Sequence, residues 1–125
     1  QWIPPFGTVT NPVDVTAEVI SKPEMFQNVL QAVVDDPQVD GVLVMQSTIS
    51  DPVATVIAEA ILDTFRRSRK PILFCRMGTE AVAKQATQVY RKAGFPVYPT
   101  PDRAVRVMSY LVQYGEMLRK GNHEH

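Results

Sequence analysis

A three-layer α/β fold, with a parallel sheet of three to four strands and helices on both faces, is predicted by three observations. Short apolar runs alternate with stretches of helical period along the chain. Most of the helical stretches open on a capping residue with proline close behind it, and they end at glycine, proline or a charged cluster. Each strand-like run is followed by a helix, the arrangement that pairs strands in parallel through right-handed crossovers. A sheet of so few strands is incomplete by itself, and its open edges invite another stretch of chain or a second copy.

The elements follow in order. Residues 1–20 form an extended lead-in with Pro4, Pro5 and Pro12, in which Asn11-Pro12-Val13-Asp14-Val15 is expected to hold a short strand. Phe26, Val29, Leu30, Val33 and Val34 share one helical face, with Ser21 as the expected cap and Pro23 in the first turn. Residues 39–45 read as a strand whose run Val42-Leu43-Val44-Met45 is expected to be buried on both faces. Asp51-Pro52 opens the second helix, which buries Val53, Ile57, Ala60, Ile61 and Phe65 and ends among Arg66, Arg67, Arg69 and Lys70. Residues 72–77 form the next buried strand. Thr79 is expected to cap a third helix with Val82, Ala86, Val89, Tyr90 and Ala93 inward, and Gly94 is its left-handed terminator. Residues 95–98 give the last strand. Thr100-Pro101-Asp102 then starts a final helix with Ala104, Val105, Met108, Leu111 and Val112 facing inward. The organisation is thus a lead-in over 1–20, a module over 21–119 and a disordered tail over 120–125.

Composition removes several function classes. The chain has 125 residues, 45% of them hydrophobic, enough for one domain with a core. Thirteen basic residues balance thirteen acidic ones, so the basic excess of a nucleic-acid binder is missing. The apolar runs are far too short to span a bilayer, and no membrane association is expected. Cys75 is the single cysteine, which excludes an internal disulfide and fits a reducing, cytoplasmic setting. The chain begins without methionine and without a signal-peptide pattern, and reads as a piece of a longer protein.

Ligands of open α/β sheets sit beyond the carboxyl ends of the strands. Gln46, Ser47, Thr48, Gly78, Thr79 and Thr100 occupy that edge and are the candidate anion- or ligand-binding loops, although the same residues serve equally as caps and turn formers. Asn11 and Asp14 read as structural anchors of the lead-in, with a site completed elsewhere as the alternative for Asp14. The basic cluster after the second helix is accounted for by the helix dipole. Cys75 reads as a small buried hydrophobe. His123 and His125 fall in the tail, where nothing places them for metal binding or catalysis. No catalytic residue, metal site or bound cofactor is expected of these residues by themselves.

Asn11-Pro12-Val13-Asp14-Val15, residues 36–44 as D-x-x-V-D-x-V-L-V, Lys70-Pro71, and Gly94 to Val105 as G-x-P-V-Y-x-T-P-x-x-A-V resemble, in that order, landmarks of the NDP-forming acyl-CoA synthetases, relatives of succinyl-CoA synthetase. The resemblance runs from about Asn11 to Leu118. It implies the C-terminal half of a flavodoxin-like CoA-ligase module, working beside CoA-binding, phosphohistidine and nucleotide-grasp domains. The reaction implied is the interconversion of acyl-CoA, ADP and phosphate with acid, CoA and ATP, so CoA, ADP or ATP and Mg belong to the larger enzyme. The family's phosphorylated histidine has no counterpart here, and its first strand, glycine-rich turn and helix precede the matched stretch. The implied role is therefore support of phosphoryl transfer through domain packing. The alternative is a regulatory or interaction module, like the synthetase-like regions fused to protein acetyltransferases. A homo-oligomer through an exposed sheet edge is also expected.

Overall fold

In a computed structural model, residues 3–123 are described. Four helices and three strands alternate: α1 (Pro23–Asp35), β1 (Val42–Gln46), α2 (Val53–Arg67), β2 (Ile72–Arg76), α3 (Lys84–Lys92), β3 (Val97–Tyr98) and α4 (Pro101–His123). Short 3-10 turns at Ala17–Ile20 and Glu80–Val82 precede α1 and α3. The strands form one parallel sheet in the order β1-β2-β3. Val42 lies opposite Ile72 and Gln46 opposite Arg76, while Phe74 lies opposite Val97.

Because spatial order follows chain order, both right-handed crossovers place their helices on the same face. Side chains agree. Phe74 stacks on Tyr90 of α3 with ring centroids 4.8 Å apart, and Arg76 reaches Thr87 of the same helix. Helix α1 extends this layer by packing on α2. Leu73 and Cys75 alternate to the opposite face, where α4 packs across all three strands. Helices therefore cover both faces of a three-stranded parallel sheet.

The core lies between the sheet and the α1–α2–α3 layer. Ile57 and Ile61 of α2, Phe74 of β2 and Tyr90 of α3 are at most 2% exposed, and Leu30 and Val34 of α1 join them. Strand β2 is buried at every position, as its apolar run Ile72-Leu73-Phe74-Cys75 requires between two helical layers. Strand β1 departs from expectation: Met45 is 53% exposed and only Val42 and Gln46 are buried, because β1 is an edge strand and α4 does not reach its far end.

Other local differences have local causes. The stretch 11–15 makes one isolated antiparallel bridge, Asp14 to Thr8, instead of a strand. Ser21 does not cap α1. Its hydroxyl donates to the Glu18 carbonyl, and Lys22 holds the cap position before Pro23. Thr79 caps the 3-10 turn by accepting from Ala81 N–H at 3.2 Å, one turn ahead of α3. Val82 and Ala93 are exposed, while Thr87 is buried in their place. Strand β3 is two residues long. Helix α4 runs through residues 120–123, beyond the expected module end, and buries only Ala104 fully. Val105, Leu111 and Val112, expected inside, are 40–53% exposed.

Candidate functional site

The carboxyl ends of β1 and β2 lie side by side, joined past the strands by Met77 N–H donating to the Gln46 carbonyl at 2.9 Å. That pairing brings two of the candidate loops together. Gly78 takes φ +123°, and a Cβ added there would lie 2.9 Å from Thr48 Oγ1. The left-handed glycine therefore lets the β2 loop lie against the β1 loop. Thr79 is turned into its own cap. Thr100 stands at the start of α4, where its side chain hydrogen-bonds to Asp102 and, with the backbone amides of that first turn, holds the Asp102 carboxyl below its usual range.

A cavity of about 400 Å³ opens beside the end of β1. Val44, Met45, Gln46, Ser47 and Thr48 form one wall, Phe26 and Ile57 the floor, and the lead-in from Asp14 to Ile20 the far wall. Gln46 is 6% exposed, and its buried Oε1 has no hydrogen-bond partner. Asp14 Oδ1 accepts from Thr16 N–H at 2.8 Å, a local turn. Thr16 itself takes φ 65° and ψ 179°, a backbone region that costs a β-branched residue on the order of 1–3 kcal/mol. Asn11 is exposed, and among the described residues its side chain makes no hydrogen bond.

Two residues at this end of the sheet have roles that the sequence reading does not give them. Asp51 is one. Its carboxylate accepts from Thr55 Oγ1 at 2.8 Å, from Gln85 N–H at 2.8 Å and from Ala86 N–H at 3.3 Å. Burial pushes its pKa up, but these hydrogen bonds and the charge of Arg76 outweigh that and hold it below the usual carboxylate value. It thus caps α3 from 34 residues away, and Pro52 takes the cap position of α2 without a side-chain bond. Its signal was an acid before a helix, and sequence proximity assigned it to the wrong helix.

Arg76 is the other. It ends β2, is 6% exposed, and donates from Nη2 to Thr87 Oγ1 at 2.8 Å, while Nη1 has no partner. Thr87 passes the bond on to the Ala83 carbonyl at 2.9 Å. The sequence places it within the buried strand over residues 72–77, and only the placement of α3 over β2 reveals its partner Thr87.

The remaining candidates have structural placements. Cys75 is fully buried, and burial, with the charge of Asp102, pushes its thiol pKa up. In the basic cluster, Arg67 pairs with Asp63 on the surface at 2.8 Å. Lys70 Nζ donates to the carbonyls of Val34 and Asp36, the latter at 2.7 Å, which closes the end of α1. His123 is exposed at the end of α4, and His125 lies outside the described residues. Among the described residues no group of three His, Cys, Asp or Glu side chains is placed to hold a metal ion. None of their helices is long and apolar enough to cross a membrane.

The chain can be compared with known proteins on this footing. It is 28% identical to the alpha subunit of an ADP-forming acetate–CoA ligase of Pyrococcus furiosus, over 94% of this chain and 25% of that protein. It is 34% identical to a trans-feruloyl-CoA synthase of an unknown prokaryotic organism, over 87% of this chain and 16% of that one. A solved structure of a dinucleotide-forming acetyl-coenzyme A synthetase of Ca. Korarchaeum cryptofilum, in complex with phosphate and ADP, superposes with a TM-score of 0.73 at 26% identity. That match covers 91% of this chain and 24% of the synthetase. The chain thus spans a quarter or less of the length of these relatives. The pattern of the Ligase-CoA domain family matches residues 1–117, nearly the whole sequence, and the chain belongs to that family.

Proposed function

We propose that this chain works as one part of an NDP-forming acyl-CoA synthetase, an acid–thiol ligase that converts acyl-CoA, ADP and phosphate to acid, CoA and ATP. The family match over residues 1–117, together with a span of about a quarter of an ADP-forming acetate–CoA ligase subunit, carries this reading. CoA, the nucleotide and Mg belong to the assembled enzyme. Its CoA-binding, phosphohistidine and nucleotide-grasp domains are the partners, in the cytoplasm.

Within that enzyme the chain is a packing and positioning module. The observation behind this assignment is the occupancy of its own helix start. The first free amides of α3 are the natural anion cradle of a strand–loop–helix unit, and here the Asp51 carboxylate fills them. An incoming phosphate would meet a negative charge already in place. What the strand-end edge offers instead is shape: the Gly78–Thr48 contact holds the exposed Ser47-Thr48 loop as a fixed surface toward a neighbouring module.

Isothermal titration of the 125-residue chain with CoA, ADP and ATP, each separately, tests the assignment. No saturable heat is expected with any of them. Saturable binding of one would overturn the packing role and make the strand-end loops a working site. The ligase reading is tested in the longer polypeptide by release of free thiol when acid, CoA and ATP are supplied together. Absence of that release with every acid tried would overturn it.

A further inference from the structure

The face of α4 that packs on the sheet does not end where the sheet does. Ala104, with no exposed surface, and Met108 share that face, and a Cβ on Gly41 would lie 3.1 Å from Met108 Sδ. Met108 thus marks the amino end of β1. Leu111, Gly115 and Leu118 continue the same row at spacings of three and four, with Tyr114 beside them. Beyond Met108 no strand lies beneath the row. Leu111 is 40% exposed, Tyr114 60% and Leu118 51%, and a Cβ added to Gly115 would meet nothing within 4 Å. At about 1.5 Å per residue, the helix has passed Met108 by about 18 Å when it reaches Lys120.

The two ends of this overhang carry opposite charge. At its root Asp40 adjoins Gly41, and Asp35 and Asp36 lie at the end of α1. All three are exposed, and among the described residues none forms a salt bridge. Lys70 is set among them, but its amino group is turned onto the carbonyls of Val34 and Asp36. At the tip Arg119 and Lys120 are exposed and, among the described residues, likewise without an acidic partner.

We propose that the overhang of α4 receives the overhang of a second copy of this chain, the two helices running antiparallel about a two-fold axis between Tyr114 and Gly115. In that register Tyr114 of each helix seats over Gly115 of the other, where the missing side chain leaves room for the ring, and Leu111 meets Leu118. Charge selects the same register independently. Lys120 falls opposite Ser109 of the partner subunit, one residue from Met108, and so at the level of the partner's Gly41 and Asp40. Two-fold symmetry forms each contact twice, whereas a parallel pair would set the basic tips side by side. Space permits the arrangement too. The row faces the sheet layer, so the second helix lies in line with the sheet, past the amino ends of its strands. Residues 109–120 are fewer than the roughly 20–30 residues a side of a standard interface, so the dimer is weak and the dilute chain is monomeric. The inference concerns this chain by itself and does not depend on the ligase reading.

Sedimentation equilibrium of the 125-residue chain, from dilute to millimolar concentration, reads this directly. A monomer–dimer equilibrium is expected, weakening as salt is raised. Gly115→Gln fills the seat of Tyr114 with a better helix former, so circular dichroism should be kept while the dimer weakens by at least about tenfold. Lys120→Glu and Asp40→Lys should each weaken the dimer as well, and the two together should restore part of the loss, because the charges then meet with their signs exchanged. A chain that stays monomeric at millimolar concentration overturns the proposal. So does a dimer indifferent to Gly115→Gln and to Lys120→Glu, which would place the contact on another surface, such as the open edge of β1. A dimer weakened by Gly115→Gln but not restored by the double charge reversal overturns the register.

Discussion

Asp51 satisfies one hydroxyl and two backbone amides with a single carboxylate, and so ties the start of α2 to the start of α3. Asp51→Ala should cost about 2 kcal/mol in urea denaturation, the upper range for a lost cap, since the amides of Gln85 and Ala86 lose their acceptor. A cost under about 0.5 kcal/mol would mean that water replaces it. The same carboxylate sets a pH dependence. Its folded pKa lies below the unfolded value of about 3.9, so its contribution is present above that value and fades as pH falls through the folded one. Stability should therefore decline more gently with acid in Asp51→Asn than in the parent chain. Arg76 is the opposite case. It is buried with one nitrogen unpartnered, and Thr87 keeps its bond to Ala83 without it. Arg76→Met should leave stability within about 1 kcal/mol of the parent or raise it, because a desolvated charge is exchanged for apolar packing. A loss above about 3 kcal/mol would show that the bond to Thr87 and the charge near Asp51 outweigh the cost of burying the guanidinium.

Turns at the strand and helix ends divide the work differently. Gly94 takes φ +65° at the end of α3 with nothing within 4 Å of an added Cβ, so Gly94→Ala meets only the left-handed backbone penalty of about 1–2 kcal/mol. Gly78 has a positive φ as well, but its Cβ would lie 2.9 Å from Thr48 Oγ1. Gly78→Ala should cost clearly more than Gly94→Ala in the same denaturation series, and Thr48→Ala should recover part of the difference. Equal costs would show that the two loops part without penalty. These elements also show what a sequence can reveal. Gly94 was legible because its signal is local, and so was β2, whose apolar run is bounded by Pro71 and the turn at Gly78. The edge position of β1 was not legible, since Val42-Leu43-Val44-Met45 is as apolar as a central strand. Asp51 was read as the cap of the helix it precedes, because its real partners lie 34 and 35 residues away. That the loops of Thr48 and Gly78 lie at one sheet edge follows from strand-end position alone, whereas the cavity beside Gln46 required knowing where the lead-in lies.

The molecule as a whole holds two apolar populations that differ in what they do for this chain. One is the core between the sheet and the α1–α2–α3 layer, where Ile61 has no exposed surface. Ile61→Ala should cost about 2–5 kcal/mol, a large part of the stability available to a domain of this size. The other is the exposed length of α4. An ideal helix rises about 1.5 Å per residue and a strand about 3.3 Å. A helix of 23 residues is therefore about twice as long as the five-residue strands it crosses, and its second half has no sheet beneath it. Burying Tyr114 and Leu118 contributes nothing here because they are not buried. Tyr114→Glu with Leu118→Lys should accordingly change the denaturation midpoint by no more than about 0.5 kcal/mol equivalent. The same double variant should lower the binding of a fluorescent apolar dye. Both readouts are needed. A chain that unfolds with these substitutions would show that α4 already packs against something in this molecule, and unchanged dye binding would place the exposed apolar surface elsewhere. An intact fold with reduced dye binding would mark α4 as a surface maintained for contacts outside these 125 residues, since a soluble monomer gains nothing by displaying a contiguous apolar stripe to water.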